Sequence, residues 1–244
     1  MTDESKDRSE GEGQGRTPGV FDQAFLTGVE DVTEVLLIRH AQQVAADPSA
    51  VAGDWIDPPL SDEGRLQARL LGEALSTTRL DAIIVSPLKR ALETAGELAR
   101  HHRLPAEVVR DLREVEVFRD VPPDKTVSDF LGLDVLKAAR QRMLNERKWD
   151  VYPSSESSYD FSKRVINAVE ALIARNLGER IAIVCHGGVI NAYAGYIIGT
   201  PYDMFFRPAH TSINVVAVGR GRRVIRLLND IHHLRTGEGD FASY

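Results

Sequence analysis

Two histidines and two arginines stand in this chain where an open parallel sheet would gather them at one edge. Arg39 and His40 directly follow the apolar run VLLI, SPLKR with Ser86 and Arg90 follows AIIV, and Cys185, His186, Gly187 and Gly188 follow IAIV. In such sheets ligands collect at the carboxyl ends of the strands, so residues that directly succeed a buried strand are the first to test for chemistry. Each has an ordinary structural use by itself: a histidine after a strand can be a buried hydrogen-bonder, and Arg90 could pair with Glu93 or Glu97 on its own helix. Their coincidence at three strand ends describes a cationic pocket instead. A metal site, the main other use of paired histidines, wants further His, Cys or carboxylate ligands, and arginines beside it would repel the ion. Guanidinium forks match the charge and geometry of phosphate oxygens, which points to phosphoryl chemistry.

The elements that must position these residues alternate along the chain. VTEVLLI, DAIIV and IAIVC are short β-branched runs, whereas LSDEGRLQARLLGEALS, LKRALETAGELARHH and a stretch near 160–177 have helical periodicity. Ser61 before Asp62 and Glu63 marks a helix start, and Leu66, Leu70, Leu71 and Leu75 give that helix one face to pack on the sheet. INVVAV and RRVIRLL flank Gly219, Arg220 and Gly221, a hairpin signal. The expected fold class is α/β: a three-layer α/β/α arrangement with a mainly parallel sheet carrying at least one antiparallel strand.

With 244 residues and 43% hydrophobic residues, the chain can build one substantial core, and at this size roughly 70% of the unfolded surface is buried without help from metals or disulfides. A single domain is expected over 31–235, after a polar tail at 1–30 too poor in apolar residues to order itself and before a short tail at 236–244. Between 115 and 160, Pro122, Pro123, Pro153 and SSESS surround one helical stretch, DFLGLDVLKAARQRMLNERKW, which reads as an excursion from the sheet. Leu136, Ala139 and Met143 form its apolar stripe. Lys137, Arg140, Arg142, Arg147 and Lys148 fall mostly elsewhere, as a solvated face or as a lid that draws an anionic substrate.

The single cysteine excludes a disulfide scaffold, and the polar start MTDESKDRSEGEGQGR has no apolar h-region, so the cytoplasm is the expected compartment. The apolar stretch at 189–199 is too short to span a bilayer. A net charge of −6 offers no basic surface to nucleic acid. A small phosphorylated molecule is the expected partner, with neither membrane nor nucleic acid, and a homodimer is the commonest assembly for such a chain.

Taken together, several segments resemble the histidine phosphatase superfamily, also called phosphoglycerate mutase-like. LIRHAQQ is similar to its Arg-His-Gly motif, GDWIDPPLSDEG to the segment ahead of its first long helix, and SPLKRALETA to its second arginine motif. DLREV resembles the acid-bearing segment, SSESSYDFSKRV the Glu-Ser helix start, VCHGGVINA the second histidine motif and NDIHHL the closing segment. The resemblance runs from about residue 33 to 234, in the family's order. It implies that His40 is the nucleophile that takes the phosphoryl group, that Arg39, Arg90 and His186 bind its oxygens, and that His186 is part of the catalytic set. It implies Glu114 as the proton donor, with Glu116 two residues away as the rival, and Gln42 and Gly187 among the groups around the phosphate. No metal or other cofactor is implied.

The chain departs from the family after His40, where Ala41-Gln42-Gln43 replaces Gly-Glu-Thr or Gly-Glu-Ser and Ala46 replaces a frequent asparagine. VFRDVPPD stands where Gly-x-Trp-Glu-Gly is usual. The implied activity is a metal-independent phosphomonoester hydrolase; mutase-type phosphotransfer and a phosphate-binding pseudoenzyme are the alternatives. His210 could approach the pocket, His232 and His233 read as structural, and Cys185 reads as a small buried hydrophobe.

Overall fold

A computed structural model describes residues 17–244 apart from 46, 48, 49 and 238, and apart from the side chains of 54 and 55. Six strands form one sheet: β1 (Thr33–Arg39), β2 (Ala82–Val85), β3 (Ala106–Val108), β4 (Arg180–Cys185), β5 (Ile213–Gly219) and β6 (Arg222–Asp230). Eight α-helices accompany them among the described residues: α1 (Val20–Phe25), α2 (Ala52–Ile56), α3 (Asp62–Leu75), α4 (Lys89–His102), α5 (Val127–Leu131), α6 (Leu133–Glu146), α7 (Ser158–Arg175) and α8 (Gly187–Ile198). The strand order is β3-β2-β4-β1-β5-β6. The first four are mutually parallel, and β5 runs antiparallel to both β1 and β6.

The run VLLI lacks polar alternation because both faces of the sheet are covered. Val35, Leu37, Ile181, Ile183 and Cys185 face a layer that includes Val165, Val169 and Leu172 of α7 and Val189, Ile190 and Tyr193 of α8. Leu36, Ile38, Ala182 and Val184 point the other way, onto Leu71 and Leu75 of α3 and Ala91, Ala95 and Leu98 of α4. The result is the three-layer α/β/α arrangement. The hairpin closes through Arg220 and Gly221, both in the left-handed region (φ 49° and 74°), as a two-residue turn matched to strand twist requires.

Ser61 caps α3 by accepting from the Gly64 N–H at 3.0 Å. The buried stripe of that helix is Gln67, Ala68, Leu71 and Leu75, with Leu66 and Leu70 at its margins. The excursion is two helices rather than one stretch. Gly132, at φ 86°, ends α5 and begins α6, and a small cluster of Ala52, Val121 and Val127 with Phe118, Leu131 and Leu136 fastens it.

Order also begins earlier than composition indicates. Residues 1–16 lie outside the described residues, as does position 46, but Val20–Phe25 form α1 and Leu26 is fully buried. The helix buries none of its own side chains; Leu26 anchors it, and the Leu26 carbonyl accepts from Arg226 of β6. The segment expected as a C-terminal tail is docked too, because the carbonyls of Phe241 and Ser243 accept from Gln67 Nε2 and His210 N, each at 2.8 Å. No helix among the described residues is long and apolar enough to cross a membrane.

Candidate active site

Where β1 ends, His40 is held through its main chain: its N–H donates to the Cys185 carbonyl of β4 at 2.9 Å, and the Ala41 N–H donates to Thr94 Oγ1 of α4 at 3.0 Å. Ring Nδ1 lies 2.7 Å from the Ala41 carbonyl oxygen. A carbonyl can only accept, so Nδ1 carries the proton and Nε2 the lone pair. Arg90 Nε donates to that Nε2 at 3.2 Å. Burial, followed by the positive neighbours His186, Arg90 and Arg39, holds the His40 pKa well below the ordinary histidine value. The imidazole is therefore neutral at physiological pH, with its lone-pair nitrogen Nε2 facing the arginine.

The second histidine is the N-cap residue of α8. Its ring centroid lies 5.1 Å from that of His40, and its Nε2 lies 2.7 Å from Ser86 Oγ at the end of β2. Burial first, then Arg90 and Arg39, lowers its pKa well below the usual value. His186 Nδ1, Arg39 Nε and Arg90 Nη1 are buried atoms without a hydrogen-bond partner among the described residues. A buried unsatisfied polar group costs about 1–3 kcal/mol; three of them on residues grouped about one neutral imidazole are what an oxyanion would satisfy. Arg39 Nη1 donates to the Pro208 carbonyl at 2.5 Å. Burial brings the Arg39 pKa down to about 10, which still leaves it charged at neutral pH.

Glu114 reaches the site from the loop after β3. Its Oε2 accepts from the Gly188 N–H in the first turn of α8 at 3.1 Å, where the helix dipole favours a carboxylate, and its Oε1 accepts from Val115 N at 3.0 Å. A Cβ at position 188 would sit 2.2 Å from Glu114 Oε1, so only glycine allows this approach. Glu116 is engaged elsewhere, accepting from Arg113 Nε at 2.9 Å. The loop is pinned from α7: Arg164 Nη1 donates to the carbonyls of Asp111 and Arg113 at 2.7 and 3.0 Å, while its Nε and Nη2 grip the buried Glu156 at 2.7 and 2.6 Å.

The sequence therefore locates His40, Arg39, Arg90, His186 and Glu114 in one place. Gln42 is tied to the start of α3, its side-chain oxygen accepting from Ser61 Oγ at 2.7 Å. Gly187 opens α8, and a Cβ there would lie 3.8 Å from Arg39 Nε. His210 does approach, its ring centroid 5.7 Å from His40, and burial followed by Arg39 and Arg207 pushes its pKa to about 3. Ser86 and Gly188 stand in the strand-end segments the sequence marks, and Arg164, Glu156 and Asp57 in segments that carry the family resemblance, but none of the five has an assigned role there. Asp57 accepts from the first N–H of α4 at 2.7 Å and lies 4.0 Å from Arg90 Nη1, setting the helix that aims this arginine. Burial raises the Cys185 thiol pKa, which makes it inert.

A neutral histidine, two buried arginines and a glutamate at a helix start meet at the carboxyl edge of this sheet. The chain belongs to the histidine phosphatase superfamily, whose branch 1 model matches residues 35–231, and it is a phosphatase by its relatives. Phosphoserine phosphatase 1 of Hydrogenobacter thermophilus is 28% identical over 205 residues, covering 83% of this chain and 95% of that protein. Glucosyl-3-phosphoglycerate phosphatase of Mycolicibacterium vanbaalenii is 28% identical over 185 residues, 70% of this chain and 77% of its own length. Among solved structures, YhfR of Bacillus stearothermophilus superposes with a TM-score of 0.71 at 28% identity, over 83% of this chain and all of that one.

Proposed function

We propose that the protein is a metal-independent hydrolase of small phosphomonoesters that works through a phosphohistidine on His40. The observation that carries this reading is the neutral His40, with Nε2 unprotonated, beside the three unpartnered donors of Arg39, Arg90 and His186. In the first step His40 Nε2 attacks phosphorus and the ester P–O bond breaks as the N–P bond forms. The arginines and His186 hold the three equatorial oxygens, supplying the charge stabilisation a metal supplies in other phosphoryl-transfer sites. Ser86 Oγ–H donating to His186 Nε2 would leave Nδ1–H as the donor toward the phosphoryl group. For this step Glu114 must enter protonated, and it gives that proton to the departing alkoxide. In the second step Glu114, now a carboxylate, takes a proton from water, the water oxygen attacks phosphorus, and the N–P bond breaks to return neutral His40 and phosphate.

Relatives named for phosphoserine and for glucosyl-3-phosphoglycerate support a small phosphorylated metabolite as the substrate class, and a lone, buried thiol suits the reducing cytoplasm. Hydrolysis is expected to exceed mutase activity, since a mutase must hold a second phosphate. In the excursion Arg142 is already paired with Glu146, and Arg147 lies over the Tyr202 ring. The test is turnover of p-nitrophenyl phosphate with a strong chelator present. The wild type should retain its rate, His40→Ala should lose it by several orders of magnitude, and Arg39→Ala or Arg90→Ala should lower kcat by about 10²- to 10³-fold. Activity abolished by the chelator and retained in His40→Ala would replace this reading with a metal hydrolase.

A further inference from the structure

Arg90 and Glu114 border a cavity of about 570 Å³ whose wall is otherwise mostly apolar, with Ile56, Leu88, Val115, Val117, Phe118 and Val121, and also holds Arg113, Glu116 and Arg119. A volume of this size suits a ligand far larger than a three-carbon acid. On the reading above, in which Glu114 protonates the departing oxygen, the place of that residue in this wall sets the leaving group beside the cavity. Of the two further cations in the lining, one is neutralised and the other is held on a backbone carbonyl. Arg113 is paired with Glu116 at 2.9 Å and Asp111 at 3.5 Å, and Arg119 donates to the Ser155 carbonyl at 3.0 Å. A carboxylate set against the apolar residues would lose its hydration there, and Arg119, the lining arginine bonded only to a backbone carbonyl, is exposed to water, where an ion pair is worth little.

Phe118 supports the same conclusion from the backbone. Its φ is +58°, a conformation bulky residues rarely adopt and one that persists only where surrounding structure imposes it. Its ring stands edge-on to Tyr152 at 5.6 Å. With Val117 and Val127 it also lines an adjoining space of about 460 Å³, where Leu133, Leu136 and Trp149 continue the hydrocarbon wall as far as Lys137 and Arg140 of α6. VFRDVPPD, the segment that departs from the family pattern, supplies much of this wall.

We propose that this cavity receives the alcohol portion of the substrate and that the cognate phosphomonoester carries an apolar or aromatic leaving group rather than a carboxylate-bearing one. The inference rests on the phosphatase reading above. A series of n-alkyl phosphates from ethyl to octyl tests it, compared with phenyl phosphate, O-phosphoserine and 3-phosphoglycerate and followed by phosphate release. The n-alkoxide leaving groups differ little in basicity, so a length effect reports burial rather than chemistry. The kcat/KM should rise by up to roughly fourfold for each methylene until the cavity fills, and butyl phosphate should exceed phosphoserine. Ile56→Ser and Val117→Ser, at positions 67% and 38% exposed and so safe for folding, should each lower the octyl-to-ethyl ratio several-fold. A flat length profile, or phosphoserine or 3-phosphoglycerate outrunning butyl phosphate, would overturn the proposal while leaving the hydrolase intact. Failure of every ester, p-nitrophenyl phosphate included, with no phosphoryl label on His40, would remove the hydrolase reading and this inference together.

Discussion

Within the site, two carboxylates two residues apart have different fates. Glu114 receives the Gly188 N–H at a helix start, whereas Glu116 is spent on Arg113. Glu114→Gln keeps an oxygen for the Gly188 N–H, gives up the acceptor that serves Val115 N and removes the transferable proton. It should slow alkyl phosphates by about 10²- to 10⁴-fold and p-nitrophenyl phosphate far less, since nitrophenolate leaves without protonation. Glu116→Gln should do little to either ester; the reverse ranking would move the acid to Glu116. At this scale the sequence is legible where residues directly follow a strand, because strand direction alone aims His40, Arg39, Arg90 and His186 at one edge. Gly188 and Ser86 lay within the same strand-end segments, but their importance depends on which side chain arrives from elsewhere. Gly188 matters because Glu114 comes within 2.2 Å of a would-be Cβ, and spacing in sequence carries no sign of that approach.

Between elements, Glu114, the proposed acid, is held in place by α7 and α8 acting on one loop. Arg164 does the holding, with two carbonyls of the 111–114 segment on one nitrogen and Glu156 on the others. Arg164→Lys retains a charge for Glu156 and loses the fork, so the loop should drift while the fold survives. The expected outcome is a fall of about 10- to 100-fold in kcat for alkyl phosphates, a smaller change with p-nitrophenyl phosphate and little change in KM. An equal loss on both esters would mean that Arg164 acts on the phosphate site or on folding instead of on Glu114. The helices and central strands were readable from periodicity and caps, Ser61 included. Apolar periodicity missed Gln67, whose buried amide bridges Gln42 to the C-terminal segment. It missed β3 as well, since AEV is three residues long and mostly exposed.

For the whole molecule, the site's preference for neutral histidines has a cost in acid. Burial, first among the causes, lowers the pKa values of His40 and His186 well below the usual 6.5, of His210 to about 3 and of His233 to about 4. Above pH 6.5 neither folded nor unfolded chain is protonated at these rings, and stability is unaffected by them. Below it the unfolded chain binds protons that the folded one refuses, so stability falls as pH falls, by at most about 1.4 kcal/mol per pH unit for each ring. For His233 that window closes near pH 4 and for His210 near pH 3. Carboxylates held low, such as Asp81 and Asp230, add their losses only as pH nears and passes the ordinary carboxylate range. Urea unfolding should therefore show stability dropping between pH 6.5 and 4.5, with a shallower slope in His233→Asn; a flat profile there would contradict neutral burial. Composition indicated the order of neither 17–30 nor 236–244, because the contacts that dock them, such as buried Leu26 and the carbonyls of Phe241 and Ser243, are few and specific. The central claim, phosphoryl transfer to His40, is tested most directly by rapid acid-free denaturation during turnover of a ³²P-labelled ester, followed by peptide mapping. The account predicts base-stable, acid-labile label on the peptide containing His40, absent in His40→Ala; label on another residue, or none while His40→Ala still turns over, would contradict it.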